Sequence, residues 1–362
     1  MTMSQALPPV PTPATTHATT NATTPSVETG PVAWGSQALW EQLVVALPGL
    51  SVEVVARISS TNSALLDRAR VNNSLAHGAS DAHDGPGSDA ALVKRSTESR
   101  AFGRRAVDLQ PCLLVAEHQT AGRGRHGHHW HGAPGSSLTF SLGLTLNPPD
   151  WSGLSLAVGV ALAEALDPLT EDHTAPSLCI KWPNDLWLMD APTDVAKDGS
   201  TDAADAAAQA DRSRAGPGRK LGGVLIETVA SGDKRLVVIG VGLNVLPLEL
   251  NLAQASTGSA CLQELNADFD APTALARLAL PLVEALRTFE REGFAAFADR
   301  FATRDLLFQR RITTTQAGLA EGVAQGVSSA GALQVQTPAG LQSVSSGEVS
   351  VRPVPASQAA PC

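Results

Sequence analysis

Residues 122–130 read Gly-Arg-Gly-Arg-His-Gly-His-His-Trp, and the rest of the chain is interpreted outward from this loop. Glycines allow its backbone to approach a ligand closely, while Arg123 and Arg125 carry forked donors that match phosphate and carboxylate oxygens. The loop has little apolar surface to bury before a ligand arrives. We therefore expect it to be mobile when empty and to close over an anionic ligand.

The loop also matches the Gly-x-Gly-x-x-Gly fingerprint of dinucleotide-binding folds. That fingerprint opens a helix and is followed about 20 residues later by an acidic residue. Here the chain continues through Gly132-Ala133-Pro134-Gly135, and the first acidic residue is Asp150. This context argues against a nicotinamide-binding fold.

Composition narrows the class of protein. The 362 residues include 26 Lys and Arg against 35 Asp and Glu, a net charge of −9, so nucleic acid is not the expected partner. The four cysteines have no paired spacing, which fits a reducing compartment and argues against a zinc ribbon or disulfide scaffold. Neither a signal peptide nor an apolar run of about 18 residues is present, so we expect a soluble cytoplasmic protein without a membrane segment.

Changes in amino-acid composition and apolar periodicity along the chain predict its domains. Residues 1–35 are rich in Thr, Ala and Pro and predict a disordered tail. A catalytic domain is expected at 36–305, with insertions at 72–106 and 191–218 that lose apolar periodicity. Short alternating runs between Gly, Ser and Pro turns predict a small β-barrel at 306–355.

Strands are predicted on both sides of the loop. The apolar run 112–117 predicts a buried strand leading into it, and alternation over 137–144 predicts a half-buried strand after it. Residues 220–227 and 236–245 predict a β-hairpin. Its glycines indicate either a bulge or space cleared for a ligand.

Helices are predicted by apolar spacing and by their ends. One should stop at Pro48-Gly49, and another should span 154–166 with Ser152 as its cap. The apolar spacing over 274–297 predicts two helices, interrupted near Pro281 or at Gly293.

Two polar stretches each leave two interpretations open. The run 59–62, Ser-Ser-Thr-Asn, can cap a helix or can offer hydrogen bonds to a small polar ring such as a urea. The turn 183–185, Pro-Asn-Asp, can bond to its own backbone. Alternatively, Lys181 can serve as a cation for an acyl or phosphate group, and Asp185 can hold a metal or an incoming amine.

The combined residues favour one kind of chemistry. The sequence has no Ser-His-Asp order and no Gly-Lys-Ser/Thr phosphate loop, which argues against a nucleophilic hydrolase and a P-loop nucleotide site. Several cations around one slot suit attack of a carboxylate on the α-phosphate of ATP, where charge develops on phosphoryl oxygens. Closure of a loop would shield a reactive acyl-adenylate from water.

Five segments occurring in order resemble those of the biotin protein ligase family. They are residues 60–62, 117–125, 181–186, 220–227 and 240–244. The resemblance implies an α+β fold, with a mixed β-sheet flanked by helices like that of class II aminoacyl-tRNA synthetases, followed by an SH3-like barrel. It implies formation of biotinyl-5′-AMP from biotin and ATP with Mg²⁺, and transfer of biotin to a lysine of a biotin carboxyl carrier protein, that of acetyl-CoA carboxylase being expected.

The resemblance also implies contacts. Biotin would be bound by Ser60, Thr61, Asn62, Gln119, Arg123, Gly124, Arg125 and Lys220. ATP or the adenylate would be bound by Arg123, Arg125, Trp130, Lys181, Asn184, Lys220 and Asn244. The catalytic residues would be Arg123, Arg125, Lys220 and Asp185, the last positioning the acceptor lysine.

Two features depart from the family. His126 and His128 stand where basic residues are frequent, and because imidazole is mostly neutral at pH 7 we expect an unusual acid dependence, which His128→Arg should change. The histidines of the loop as metal ligands are a weaker interpretation.

A helix-turn-helix is not recognised at the amino end, so repressor activity is not expected. A lipoate ligase and a non-catalytic biotin-binding protein are the alternatives, and a homodimer stays open.

Overall fold

The structure is a computed structural model that describes residues 32–77, 100–102, 109–171, 173, 175–190, 218–231, 234–247, 258–345 and 350–353. Nearly all of the predicted tail and of the second predicted insertion lie outside these residues. None of the helices in the described ranges is long and apolar enough to cross a membrane.

A mixed β-sheet forms the centre of the catalytic part. Its strands are β1 Ser51–Ile58, β2 Arg100–Phe102, β3 Cys112–Gln119, β6 Ser137–Thr145, β7 Leu178–Lys181, β8 Asp185–Leu188, β9 Arg219–Ser231 and β10 Lys234–Asn244. In the described part of the chain their order is β2-β1-β3-β6-β10-β9-β8-β7. Only the β1–β3 pair among them is parallel. The predicted mixed sheet is confirmed, and a largely parallel dinucleotide-binding sheet is excluded.

Helices lie on both faces of this sheet. They are α1 Ser36–Val44, α2 Thr61–His77, α3 Leu154–Leu166, α4 Ala271–Glu292 and α5 Ala298–Arg304. Helix α2 contacts β3, β6, β9 and β10 over a small apolar cluster. Helices α1, α3 and α4 join the larger core, which lies on the opposite face. The face under α2 therefore carries the smaller of the two apolar clusters.

The ends of two helices correct the sequence interpretation. Helix α4 runs through Pro281 and ends at Gly293, so the second of the two predicted interruptions is the right one. Helix α3 spans the predicted residues, but its cap is Gly153 at φ 78° and not Ser152. A side chain at residue 153 would place its Cβ 2.5 Å from Phe294 Cγ, so close packing selects glycine there.

Part of the first predicted insertion, 72–106, belongs to the described residues. Helix α2 continues to His77, and β2 pairs antiparallel with β1 at the edge of the sheet. A strand of three residues is too short to show a period in the sequence, which explains why β2 was missed.

The carboxyl-terminal strands form a second, antiparallel sheet. They are β11 Arg311–Thr314, β12 Glu321–Val327, β13 Leu333–Thr337, β14 Gly340–Val344 and β15 Val351–Pro353. Their order is β14-β13-β12-β11-β15. The predicted SH3-like β-fold is confirmed. The sequence interpretation missed β14, because Gly340 and two polar residues weaken its alternation.

Candidate active site

The candidate site lies on the α2 face of the sheet, where two glycines of β10 clear space. A Cβ on Gly240 would lie 2.2 Å from Asn62 Oδ1, and one on Gly242 would lie 2.6 Å from Trp130 Cε2. The register of β10 with β6 and β9 is continuous at both positions. These glycines therefore make room for side chains and do not mark a bulge.

The start of α2 supplies a buried polar pocket. Ser60 Oγ accepts a 3.4 Å bond from Ser63 N, as a helix cap does, whereas Thr61 N donates to Gln119 Oε1 at 2.8 Å. Ser141 Oγ lies 2.6 Å from both Thr61 Oγ1 and Asn62 Oδ1. The capping interpretation is confirmed for Ser60, and hydrogen bonding of its neighbours to a ligand ring remains a prediction. Ser141, on β6, was not singled out from the sequence.

The glycine-arginine loop forms a short hairpin. Strand β4, Gly122–Arg123, pairs with β5, His129–Trp130, and Gly124 N donates to His128 O at 2.7 Å. Mobility of this segment remains a prediction, but in this conformation it has regular backbone pairing.

An ion pair of Arg123 connects the hairpin to the sheet. Its Nη2 lies 2.5 Å from Glu227 Oε2 on β9, and the same oxygen accepts a 3.0 Å bond from Asn62 Nδ2. Glu227 was quoted in the fourth family segment without a role. It lies between the polar pocket and the loop.

A second cluster forms where β8 meets β9. Lys220 Nζ donates to Asp185 Oδ1 at 2.8 Å, and Arg125 Nη1 donates to Asn184 Oδ1 at 3.3 Å. Asn184 Nδ2 also donates to Val224 O at 2.8 Å. The side chains of this turn therefore reach β9 and the loop, and the interpretation in which they bond only to their own backbone is wrong.

The cluster carries excess positive charge. Burial lowers the pKa of Lys181; Asp185 opposes this shift, while Lys220, Arg352 and Arg125 add to it. Burial likewise lowers the pKa of Arg125, again opposed by Asp185. Cations that disfavour one another around a single carboxylate create a site in which an additional anion is stabilising.

Two further candidates have structural contacts of their own. Trp130 packs its ring over Gly242, and its Nε1 is buried without a hydrogen-bond partner in the structure. Asn244 is buried at the end of β10 and donates from Nδ2 to Ala260 O at 3.0 Å. The roles expected for both with the nucleotide remain predictions.

Two cavities flank the hairpin. One, of about 360 Å³, is lined by Gln119, Gly122 and Trp130, and the other, of about 310 Å³, by Arg125 and Asn184.

The side chains of His126 and His128 are exposed. Among the described residues, no group of three or more His, Cys, Asp and Glu could hold a metal, so the histidine metal site has no support.

Comparison with known protein families matches both parts of the chain. The biotin/lipoate A/B protein ligase family matches residues 95–244, and the biotin protein ligase C-terminal domain matches residues 310–352. The chain belongs to the biotin protein ligase family. The description of the second match names biotin protein ligase alone.

Individual relatives agree with membership of the biotin protein ligase family. The bifunctional ligase/repressor BirA of Escherichia coli K12 is 32% identical over 243 residues, 66% of this chain and 65% of that protein. A biotin-acetyl-CoA-carboxylase ligase of Mycobacterium tuberculosis is 32% identical over 162 residues, 43% of this chain and 48% of that protein. The chain thus spans less than two thirds of the length of either relative.

A solved biotin protein ligase has the same fold. The enzyme from Aquifex aeolicus, in complex with biotin and ATP, aligns with a TM-score of 0.55 at 23% identity. The alignment covers 84% of this chain and 99% of that one. At this identity the likeness supports the architecture and not the individual contacts.

Proposed function

We propose that this chain is an ATP-dependent biotin protein ligase. In the first step a biotin carboxylate oxygen attacks the α-phosphorus of ATP, and the bond to the pyrophosphate oxygen breaks. In the second step the ammonium group of an acceptor lysine first releases a proton to solvent. The neutral amine then attacks the carbonyl carbon of biotinyl-5′-AMP, AMP leaves with the bonding electrons, and the amide nitrogen releases a second proton. The lysine belongs to a biotin carboxyl carrier protein, for which acetyl-CoA carboxylase is the proposed source.

One observation carries this proposal: a neutral polar pocket and a cationic cluster lie along the same two strands. Gly240, beside Asn62, pairs with Leu225, and Gly242 pairs with Gly223, whose Cβ would lie 3.1 Å from Asp185 Oδ1. Two residues along a strand span roughly 7 Å. A molecule with a urea at one end and a carboxylate several bonds away can therefore bridge the pocket and the cluster.

The cationic cluster suits the first step. Lys220 and Arg125 can donate to carboxylate and α-phosphate oxygens, which lowers their mutual repulsion and stabilises the developing charge. Mg²⁺ takes few protein ligands when phosphates supply most of its oxygens, so we propose that it enters with ATP and offsets phosphate charge.

The arrangement around Asp185 suits the second step. Its carboxylate already accepts a bond from the ammonium of Lys220, the same chemical group that an acceptor lysine brings. A cavity lined by Arg125 and Asn184, the chain neighbour of Asp185, is the proposed path for that side chain. We propose that Asp185 holds the incoming amine close to the mixed anhydride.

Biotin fits better than lipoate, and turnover fits better than binding alone. Thr61, Asn62 and Ser141 form a pocket of small groups that hydrogen-bond one another, and these groups can also pair with the N–H and C=O groups of a urea but not with a dithiolane ring. A protein that only binds the vitamin needs no cluster of cations beside it. We propose a catalytic domain at 36–305 and a carboxyl-terminal domain at 306–355.

Pyrophosphate exchange into ATP tests the proposal. Exchange that requires biotin, and is absent with lipoate, is the expected result. Exchange with lipoate would indicate the alternative ligase, and exchange with neither acid would indicate a binding protein. Labelling of a carrier domain, with and without its acceptor lysine replaced by arginine, tests the second step.

A further inference from the structure

Glu227 joins two parts of the site that are distant in sequence. It lies on β9 opposite Val238 of β10, and one oxygen, Oε2, meets Arg123 Nη2 at 2.5 Å and Asn62 Nδ2 at 3.0 Å. The first partner belongs to the hairpin and the second to the start of α2. One carboxylate oxygen thus connects the loop with the polar pocket.

The Asn62 side of this connection is rigid. Besides Glu227, Asn62 Nδ2 donates to Leu225 O at 3.2 Å, and Asn62 Oδ1 lies 2.6 Å from Ser141 Oγ. Its position against Gly240 leaves no space for movement toward β10. Glu227 is therefore held by a fixed donor, and its second interaction defines where the guanidinium of Arg123 can lie.

The Arg123 side is the adjustable one. The Arg123 side chain is 40% exposed and that of Glu227 is 28% exposed, so the pair is shielded more than a surface pair but can still separate. A guanidinium has five N–H donors, and the bond to Glu227 uses one. The remaining donors keep a fixed direction only while that bond holds.

We propose that Glu227 is a positioning residue that orients Arg123 and thereby holds the β4–β5 hairpin over the acyl-adenylate, an inference that rests on the proposed function. Glu227 touches neither reacting atom in this scheme. Its carboxylate limits the rotamers of Arg123, so that the hairpin closes in one position. Loss of the charge lets the hairpin lift and the adenylate escape before an amine arrives.

Glu227→Gln is the direct test, because it keeps the size of the side chain and removes its charge. We expect escape of biotinyl-AMP, followed without acceptor, to accelerate about tenfold. Glu164→Gln is the matched control, since it removes a pair of equal 2.5 Å length between Glu164 and Arg300, away from the hairpin. The control should leave the escape rate unchanged.

A second variant distinguishes positioning from general weakening of the pocket. If Glu227 acts through Arg123, then Glu227→Gln should have no further effect on escape in an Arg123→Gln background. An equal effect in both backgrounds would show that Glu227 acts through Asn62 and would overturn the inference, as would an unchanged escape rate in the single variant.

A measurement without substrates keeps this inference separate from the proposed function. Trypsin can cleave after Arg125 in the turn of the hairpin, and we expect Glu227→Gln to accelerate that cleavage about tenfold relative to Glu164→Gln. Absence of biotin-dependent exchange in the unaltered protein would contradict the proposed function. Normal exchange with unchanged cleavage and escape in Glu227→Gln would contradict only the role of Glu227.

Discussion

Local sequence patterns identified some side chains of the site and missed others. Thr61 and Asn62 were found as part of a polar run before a helix, and the family resemblance indicated Gln119. The structure bonds Thr61 to Gln119 and connects Thr61 with Asn62 through Ser141. Ser141 and Glu227 were missed as functional residues because each occupies an ordinary position in an alternating strand. Only the register of β6, β10 and β9 shows that they face the ligand side.

At Asp185 we expect the two steps to respond differently to substitution. Asp185→Asn removes the charge that holds an ammonium, a change of about 1.5–3 kcal/mol for a bond to a charged group. Transfer of biotin to the carrier should therefore slow roughly ten- to a hundredfold, with pyrophosphate exchange affected less. Asp299→Asn on α5 is the control and should change neither rate. Equal losses in both steps would contradict a role in acceptor positioning.

At Gly240 we expect a single methyl group to damage the polar pocket. In Gly240→Ala the new Cβ would meet Asn62 Oδ1 at 2.2 Å, so Asn62 must move and its bonds to Ser141 and Glu227 must weaken. Such overpacking costs about 1–3 kcal/mol, and the dissociation constant for biotin should rise roughly tenfold or more. Calorimetric titration with biotin measures this change.

Gly159→Ala is the matched control for that variant. Its Cβ would lie 3.4 Å from Ile180 Cγ2, an ordinary contact, and alanine favours the helix α3 in which it lies. We expect unchanged biotin affinity and a slightly higher free energy of unfolding. A similar loss of affinity in both variants would show that Gly240 clears no specific space.

Helices and strands could be predicted where their apolar pattern was long. They could not be predicted fully where tertiary contacts determine a helix end or a loop conformation. Helix α3 and the β9–β10 hairpin follow from sustained apolar spacing and a clear turn. The cap of α3 could not be found from its own residues, since packing of Phe294 selects Gly153. The order in the hairpin at 122–130 depends on Glu227, which is far away in sequence.

A buried ion pair between Asp167 and Arg304 joins the ends of α3 and α5. The shifted pKa of Asp167 makes the free energy of unfolding depend on pH. Burial raises the pKa of Asp167, but bonds from Leu178 N and the Arg304 guanidinium outweigh it, so the net pKa is lowered. A lowered pKa means that this stabilisation is complete above the unfolded value, about 3.9, and is lost as pH falls through the folded value.

Two variants test this ion pair. Arg304→Leu should reduce the free energy of unfolding by about 3 kcal/mol near pH 7, because the buried carboxylate of Asp167 loses its arginine partner and keeps its contacts to Leu178 N and His173 Nε2. Asp167→Asn should flatten the loss of stability below about pH 4. Denaturant unfolding at several pH values measures both effects, and an unchanged acid dependence in Asp167→Asn would contradict the assignment.

Across the whole molecule, the carboxyl-terminal sheet is packed against the catalytic part at a few close contacts. Trp182 is fully buried, and its Nε1 donates to Gly331 O at 3.0 Å. A Cβ on Gly331 would lie 2.7 Å from Gly153 Cα, so the two turns touch through their backbones. The described residues from 34 onward form one compact unit.

This packing predicts cooperative unfolding. We expect a single transition in calorimetry, with the calorimetric enthalpy equal to the van't Hoff enthalpy. Trp182→Phe leaves the buried Gly331 carbonyl without its donor and should lower the free energy of unfolding by about 1–3 kcal/mol. Two resolved transitions in the unaltered protein would show that the domains are energetically independent.

In the proposed mechanism, guanidinium groups of the hairpin retain an acyl-adenylate on the face of the sheet. The most direct measurement is the half-life of bound biotinyl-AMP, formed from biotin and ATP without acceptor, in the unaltered protein and in Arg125→Ala. We predict a retained adenylate in the first and escape at least about tenfold faster in the second. Equal half-lives, or no adenylate in the unaltered protein, would contradict this account.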